Sequence, residues 1–551
     1  MIGNLINKLE EVKISFSQWL MIFFSIVLVR NFLENFSGQS LDHRLTDIYT
    51  HFIHYPLAYL ALFLSIIVIL YLITKEDIVK ILKICLVGLT VIWLPPILDI
   101  IFTWGRGWMV NYWLDGWKDF LFNFFTLLGK FRNPGATIGI RIEVVIILLG
   151  LALYTYLKTV SFKKSVFTLF FVYVAIFLCF NLPLFIVTFA ELPHLKLEEI
   201  NREAMSNFFE REASNSLIFS SRIGGINDGL VDSATNFGNI FNLEISAVYI
   251  IIIIILLLLI LKFYKKENYL AILRNVRVLR LGHYFLMAAI GVYLGWQFRE
   301  AWPFDTLYDY LALLLLFISV AFFWIGAVFQ DDLADIKIDS ISNIDRPLPQ
   351  KMLNAQEAKT IVLISFIISL VSAFIAGYYI FIFILTAIAI SYLYSTEPLR
   401  LKQFPILNSF LIALASLTVI MSGFFLAGGT FKLNQFPVRV AIIVLLTLTM
   451  AFGTKDIKDI EGDKKAGIKT IPVIFGEDRG KKILGVMSFI AFLIIPIVFW
   501  RIEILVLSII FGSIIYYLIN KKKYQEKYIF IAYFFYVLLL SPFITRAIIF
   551  N

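Results

Sequence analysis

About fifteen stretches of this chain run apolar for roughly 18 to 25 residues at a time, and no other property limits its folding more. At 1.5 Å per residue, each stretch spans, as a helix, a hydrocarbon core about 30 Å thick. Lipid offers no partner to a backbone N–H or C=O, so such segments must satisfy their own hydrogen bonds. The expected fold class is therefore an all-α polytopic membrane protein. Composition agrees, since 60% of the 551 residues are hydrophobic and 16% aromatic.

Six spans are predicted near residues 16–31, 53–74, 81–104, 140–160, 165–190 and 243–264. Nine more are predicted near 283–298, 307–328, 361–376, 378–394, 407–428, 438–454, 484–500, 502–519 and 528–548. Between the sets lies KFYKKENYLAILRNVRVLR, Lys262 to Arg280, with six positive charges and Ile272, Val276 and Leu279 at helical spacing. That pattern predicts a basic amphipathic helix lying on the membrane surface. The chain divides there into an N-terminal transmembrane domain, 1–265, and a C-terminal domain, 266–551.

The net charge of +9 is not a nucleic-acid footprint, because Lys and Arg sit in short loops between apolar runs. If the connector is cytoplasmic, the loops on its side of the second half carry, with it, about two dozen Lys and Arg, against about five on the other side. This bias predicts a cytoplasmic N-terminus and cytoplasmic acidic loops, with the stretches 32–52, 105–139 and 191–242 outside. The last of these is long for a connection and is expected to cover the bundle or bind a protein partner. The first apolar run follows Lys8 and Lys13 without a small-residue cleavage site, which favours a retained helix. Cys85 and Cys179 both lie in apolar segments, so neither a disulfide framework nor a thiolate metal cluster is expected.

Against this background VFQDDLADIKIDSISNIDRPLP, Val328 to Pro349, is anomalous: Asp331, Asp332, Asp335, Asp339 and Asp345 crowd the end of a span. A second acidic segment, GTKDIKDIEGDKKAGIKTIPVIFG, Gly453 to Gly476, follows a later span on the same predicted side. On continuous helices Asp332, Asp335 and Asp339 share one face, and so do Asp456, Asp459 and Asp463. Two such faces meeting would repel strongly. Mg²⁺, bound through one or two carboxylates, waters and substrate phosphate oxygens, resolves the conflict. Arg346, Lys351, Lys455, Lys458 and, in YLYSTEPLRLK, Arg400 and Lys402 supply positive charge nearby. A metal-bridged diphosphate at the end of a helix bundle implies a lipid as its organic part. Two other readings are solvated acids balancing loop lysines, and an ion-coupled transporter using the acids as cation sites.

The two segments resemble the paired aspartate motifs of the UbiA superfamily of intramembrane prenyltransferases. The first reads Asp331-Asp332-x-x-Asp335-x-x-x-Asp339 followed by DRPLP; the second reads Asp456-x-x-Asp459-x-x-Gly462-Asp463 followed by AGIKTIPV. Tyr394 to Lys402 resembles the tyrosine and basic element between them. The resemblance covers about 270–551 and implies a nine-helix UbiA-like bundle, preceded here by about six additional helices that it does not explain. One departure is Asp331, where the family pattern has Asn. The resemblance implies Mg²⁺-dependent transfer of an isoprenyl group from a polyprenyl diphosphate to a hydrophobic or amphipathic acceptor: an aromatic ring, a glycerol-phosphate lipid or a phosphosugar. It implies metal binding by Asp331, Asp332, Asp335, Asp339, Asp456, Asp459 and Asp463. Diphosphate binding falls to Arg346, Tyr394, Arg400, Lys402 and Lys455, and catalysis to Asp332, Asp335, Asp459 and Lys402.

In the first half, LDHRLTDIYTHFIHYP sets His43, Asp47, His51 and His54 at helical spacing, a pattern that admits a metal as well as ordinary interface histidines. Asp99, after Pro95 and Pro96, is expected to form a buried ion pair with Arg141 or Glu143. No paired acidic motif, nucleophile elbow or phosphate loop occurs in this half, so a non-catalytic module is expected.

Overall fold

The computed structural model describes residues 2–37, 49–103, 112, 115–129, 136–216, 218, 233–429 and 432–543. These residues are helical or irregular, with no strand among them. Fifteen of the helices are long and apolar enough to cross a membrane. Contacts divide the chain into two compact units, Met1–Asn215 with Asp228–Lys266, and Ser216–Asn227 with Glu267–Asn551.

The second unit holds nine of the fifteen spans, beginning with Val278–Arg299 and ending with Glu526–Phe543. Two of these helices start at a side-chain cap. Thr306 accepts the Asp309 amide at 3.3 Å and opens Leu307–Ala334, while Asn354 and Glu357 form a reciprocal pair opening Ala355–Ala376. Gly377 separates that helix from Tyr378–Ser395. The closest packing joins Val278–Arg299 to Leu407–Gly428. A Cβ on Gly291 would lie 2.0 Å from the Ile420 carbonyl oxygen, and one on Gly423 would lie 2.3 Å from that of Ala288. Small residues thus bring two backbones into contact, the usual way apolar helices associate in lipid. Ser319 and Ser369 each donate to the other's carbonyl, at 2.8 and 2.7 Å, and tie Leu307–Ala334 to Ala355–Ala376. At the C-terminal end, Leu484, Phe492, Ile504, Ile515 and Tyr536 build a core.

The first unit holds six spans. The predicted third span is broken: Ile78–Gly88 passes through a 3-10 turn, Leu89–Trp93, into Leu94–Thr103, since Pro95 and Pro96 lack the amides an unbroken helix needs. The predicted span 165–190 is likewise two helices, Phe162–Phe180 and Leu182–Glu191, parted at Asn181 just before Pro183. Arg30 is buried, bonded to Glu34 and flanked by the rings of Tyr55 and Tyr59 at 5.4 and 5.3 Å. Asp99 accepts the Gly139 amide at 2.9 Å, while Arg141 donates to the Thr126, Leu127, Leu128 and Gly129 carbonyls. His43 and Asp47 lie outside the described residues. His51 and His54 fall in a π-helical turn, Tyr49–His54, and His54 meets Tyr112 Oη at 2.9 Å and Ser246 Oγ at 3.2 Å.

The expected surface helix over 262–280 is instead three pieces. Ser233–Tyr264 runs through its start, a short helix covers Lys266–Asn275, and Val278–Arg299 begins after Arg277. Arg277, at φ 50°, turns the chain.

Candidate active site

Both acidic segments sit where a membrane helix gives way to a short, reoriented one. Leu307–Ala334 ends at Asp335, whose φ of −104° and ψ of 13° leave the helical well, and Ile336–Ser342 follows in a new direction. Val438–Phe452 passes through a 3-10 turn, Gly453–Ile457, before Ile460–Ala466 starts after Asp459. The short helices pack closely because Gly462 has no side chain: a Cβ there would lie 2.4 Å from Ser342 Oγ and 2.8 Å from Ile338 Cγ2.

Asp331, Asp335, Asp339, Asp456, Asp459 and Asp463 all line one cavity. Asp332 does not, which corrects its expected place on a shared face with Asp335 and Asp339. On a helical wheel Asp331 and Asp332 both lie within one turn of Asp335, and the partners choose between them: Arg277 and Arg346 hold Asp332 in protein, and Asp331 is left facing the cavity. Asp332 instead packs its carboxylate into protein, 2.5 Å from Arg277 Nη2, 2.7 Å from Asn275 Nδ2 and 3.2 Å from Arg346 Nη1.

Asn343 joins the two segments, donating one amide proton to Asp339 at 3.0 Å and the other to Asp459 at 2.9 Å. Basic groups gather on the first segment. Lys402 Nζ is 2.6 Å from both Asp331 and Asp335, Arg400 is 2.8 Å from Asp335, and Arg346 bonds Asp339. Ser395 donates to Asp331 at 2.8 Å. Arg400 does not line the cavity and reaches it through Asp335. The second segment is held by amides and hydroxyls: Asn408 donates to Asp456 at 2.9 Å, and Lys455 donates to Tyr394 Oη with its ammonium 4.7 Å from the ring centroid. Among the described residues, no hydrogen-bond or ion-pair partner reaches the Asp463 carboxylate. Lys351 and Lys458 lie off the cavity wall, although Lys458 pairs with Glu526 at 2.7 Å.

Four charged or amide-bearing residues of the cavity escape sequence reasoning. Arg277 and Arg280 belong to the basic connector and resemble surface anchors, yet both line the cavity, with Arg280 bonded to Glu526 at 2.7 Å. Asn408 carries no local signal, and Glu526 stands alone among lysines. Further into the bundle the wall becomes apolar and aromatic, through Tyr284, Phe323, Trp324, Leu411 and Phe452.

The electrostatics follow from this crowding. Burial, opposed by Arg346, pushes the Asp339 carboxyl up to about 6. Asp463 is pushed up to about 7, by burial first and then by Asp456 and Asp459. Asp335 is also raised, by burial and by the neighbouring charge of Asp331. Among the described residues, no three acidic, His or Cys side chains converge tightly enough to form a ready-made metal cage. That is the donor pattern Mg²⁺ uses when it binds through one or two carboxylates and completes its shell with water and substrate oxygens. Carboxylates crowded without a directly bonded cation, as at Asp463, fit such an ion.

Residues 284–539 match the UbiA prenyltransferase family. The chain is 31% identical over 224 residues to a digeranylgeranylglyceryl phosphate synthase of Sulfolobus acidocaldarius, spanning 40% of this chain and 76% of that protein. It is 28% identical over 245 residues to the synthase of the same name from Sulfurisphaera tokodaii, spanning 43% and 83%. Among solved structures it is similar to a UbiA homolog from Archaeoglobus fulgidus bound to GPP and Mg²⁺, at 25% identity and a TM-score of 0.40, over 51% of this chain and 99% of that one. The family match begins just after Arg277 and Arg280 and takes in every acidic residue of the cavity. With the Sulfolobus enzyme matched over three quarters of its length, the chain belongs to the UbiA prenyltransferase family and is an integral membrane prenyltransferase.

Proposed function

We propose that the chain transfers an isoprenyl group, in a Mg²⁺-dependent reaction, from a polyprenyl diphosphate to the free hydroxyl of a prenylated glycerol-phosphate lipid. The observation that carries this reading is a single cavity with two facing acidic segments at one end and an apolar aromatic wall at the other. One end suits a diphosphate and the other its prenyl chain. The acceptor class rests on the names of the relatives, digeranylgeranylglyceryl phosphate synthases. It is preferred on that ground to an aromatic ring or a phosphosugar.

Asp331, Asp335, Asp339, Asp456, Asp459 and Asp463 would hold Mg²⁺, which when bound offsets the charge that develops on the departing diphosphate. Lys402, Arg346 and Lys455 bring positive charge to the same oxygens, and Tyr394 orients Lys455. Arg400 positions Asp335. As the allylic C1–O bond breaks, its electron pair leaves with diphosphate, the acceptor oxygen bonds to C1, and the hydroxyl proton is released. The apolar wall keeps water from C1 in the interval. Aromatic faces such as Trp324 and Phe323 stabilise the transient allylic cation. Asp332, turned into protein, is a positioning residue for Arg277 and Arg346 rather than a metal ligand.

The charge bias of the loops supports a cytoplasmic position for the N-terminus and for the acidic segments. Every residue assigned above lies beyond Lys266, which supports a non-catalytic role for the first unit, in lipid access or in docking a protein partner. The test is purified full-length protein incubated with prenyl diphosphates of several lengths against a prenylglyceryl phosphate, an aromatic acid and a phosphosugar. Diphosphate release and a new ether only with the glyceryl phosphate support the reading. No Mg²⁺-dependent release with any donor would overturn it in favour of ion-coupled transport.

A further inference from the structure

The two acidic segments differ in what already compensates them. In the first, every carboxylate facing the cavity bears a cationic side chain: Lys402 on Asp331 and Asp335, Arg400 on Asp335, Arg346 on Asp339. In the second, Asp459 has the Asn343 amide and Asp456 the Asn408 amide. Lys455, bonded to Tyr394, forms only a long ion pair with Asp456, at 4.0 Å. Asp463, 8% exposed and on the cavity wall, has no hydrogen-bond or ion-pair partner among the described residues.

We infer that divalent cations enter in a fixed order, the second segment loading first, while Lys402 keeps the first segment closed to metal until a diphosphate draws its ammonium away. This rests on the proposed function and concerns how the same site fills.

The geometry supplies the reason. Lys402 Nζ lies 2.6 Å from one oxygen of each of Asp331 and Asp335, so the ammonium occupies the space that a bridging ion would need. A divalent ion a few ångströms from that ammonium is repelled at close range in a low-dielectric pocket. Asp331 strengthens the lock. A neutral side chain at this position would leave the ammonium held by one carboxylate instead of two. A diphosphate arriving beside Lys402 offers the ammonium a stronger partner and releases one oxygen of each carboxylate together, Arg400 staying on the other oxygen of Asp335. Over the second segment Lys455 comes no closer than 4.0 Å to Asp456 and, among the described residues, no ammonium bridges two of its carboxylates.

Mn²⁺ serves as the probe, its binding to full-length protein in detergent counted by electron paramagnetic resonance with and without inorganic pyrophosphate. Wild type should bind one Mn²⁺ per chain without pyrophosphate and two with it. Lys402→Gln should bind two without pyrophosphate, its second affinity at least tenfold tighter than wild type shows in the same buffer. Lys402→Arg, which keeps the cation, should behave as wild type. Two ions on wild type without pyrophosphate would overturn the order, and a single ion on folded Lys402→Gln would overturn the part given to Lys402. The wild-type counts test the order even if the Gln variant does not fold. Failure to bind Mn²⁺ under any condition would defeat the metal-dependent reading itself, a result distinct from either.

Discussion

Asp332 Oδ1 lies 2.5 Å from Arg277 Nη2, an ion pair in which the carboxylate side chain is 1% exposed and the guanidinium 18%. Its neighbour Asp331 faces the cavity. Two adjacent aspartates therefore do different work, and substitution separates them. Asp332→Ala leaves Arg277 and Arg346 short of their shared counter-charge, and removing one partner of a buried pair costs about 3–5 kcal/mol. The expected outcome is a clearly lowered melting temperature in detergent, with Mn²⁺ affinity of the folded protein changed less than threefold. Lost metal binding at unchanged stability would return Asp332 to the ligand set.

Asp335→Asn and Asp459→Asn should show the opposite pattern. Each keeps the shape of the side chain while removing one charge and one acceptor oxygen from the diphosphate end of the cavity. Turnover is expected to fall by about a thousandfold, roughly 4 kcal/mol of transition-state stabilisation, with melting little changed. Steady-state prenyl transfer and a thermal melt on the same preparations check both halves of the statement.

Asn343→Ala removes an amide that bonds both acidic segments. Asp339 and Asp459 then lose a shared donor and repel each other with less restraint. Supporting bonds of this kind are worth about 10–100-fold in metal affinity or activity. Mn²⁺ affinity should drop at both positions, whereas loss of an ordinary surface amide would leave it alone.

Chelation gives a fourth outcome. EDTA should abolish diphosphate release, and added Mg²⁺ should restore it. Continued release of diphosphate in excess chelator would disprove metal dependence.

Gly291→Val and Gly423→Val force a side chain into backbone, where the Cβ alone would lie 2.0 and 2.3 Å from carbonyl oxygens. Overpacking a well-fitted contact costs about 1–3 kcal/mol or more. Lowered melting temperature and yield are expected for both. Gly150→Val, where a Cβ meets nothing within 4 Å, is the control.

Much of this was legible in the sequence because lipid imposes a simple rule on length and polarity. The predicted spans near 378–394, 407–428 and 502–519 fall on helices Tyr378–Ser395, Leu407–Gly428 and Ile502–Ile519. The two acidic segments, Lys402 and Tyr394 were found by spacing and by resemblance. The rest depended on facts that spacing does not carry. A wheel puts both Asp331 and Asp332 beside Asp335, and only the positions of Arg277 and Arg346, distant in sequence, show that Asp332 turns into protein. Arg277 and Arg280 were hidden by composition: among six basic residues of a connector, nothing local shows which two turn inward. Asn408 and Glu526 gain their meaning only from partners 48 and 246 residues away in sequence.

The backbone contact between Val278–Arg299 and Leu407–Gly428 sets where this enzyme has room to change. Carbonyls meeting at Gly291 and Gly423 leave no flexible side chain to absorb a shift. Those two helices also carry His283 and Leu411 of the cavity wall, so alterations along their shared seam would disturb the pocket and the bundle together. Phe323, Trp324 and Ile390 project from helices outside that seam. If the cavity takes the prenyl chain as proposed, side-chain changes at these positions alter its depth without touching the seam, whereas changes at the glycines disturb pocket and bundle together.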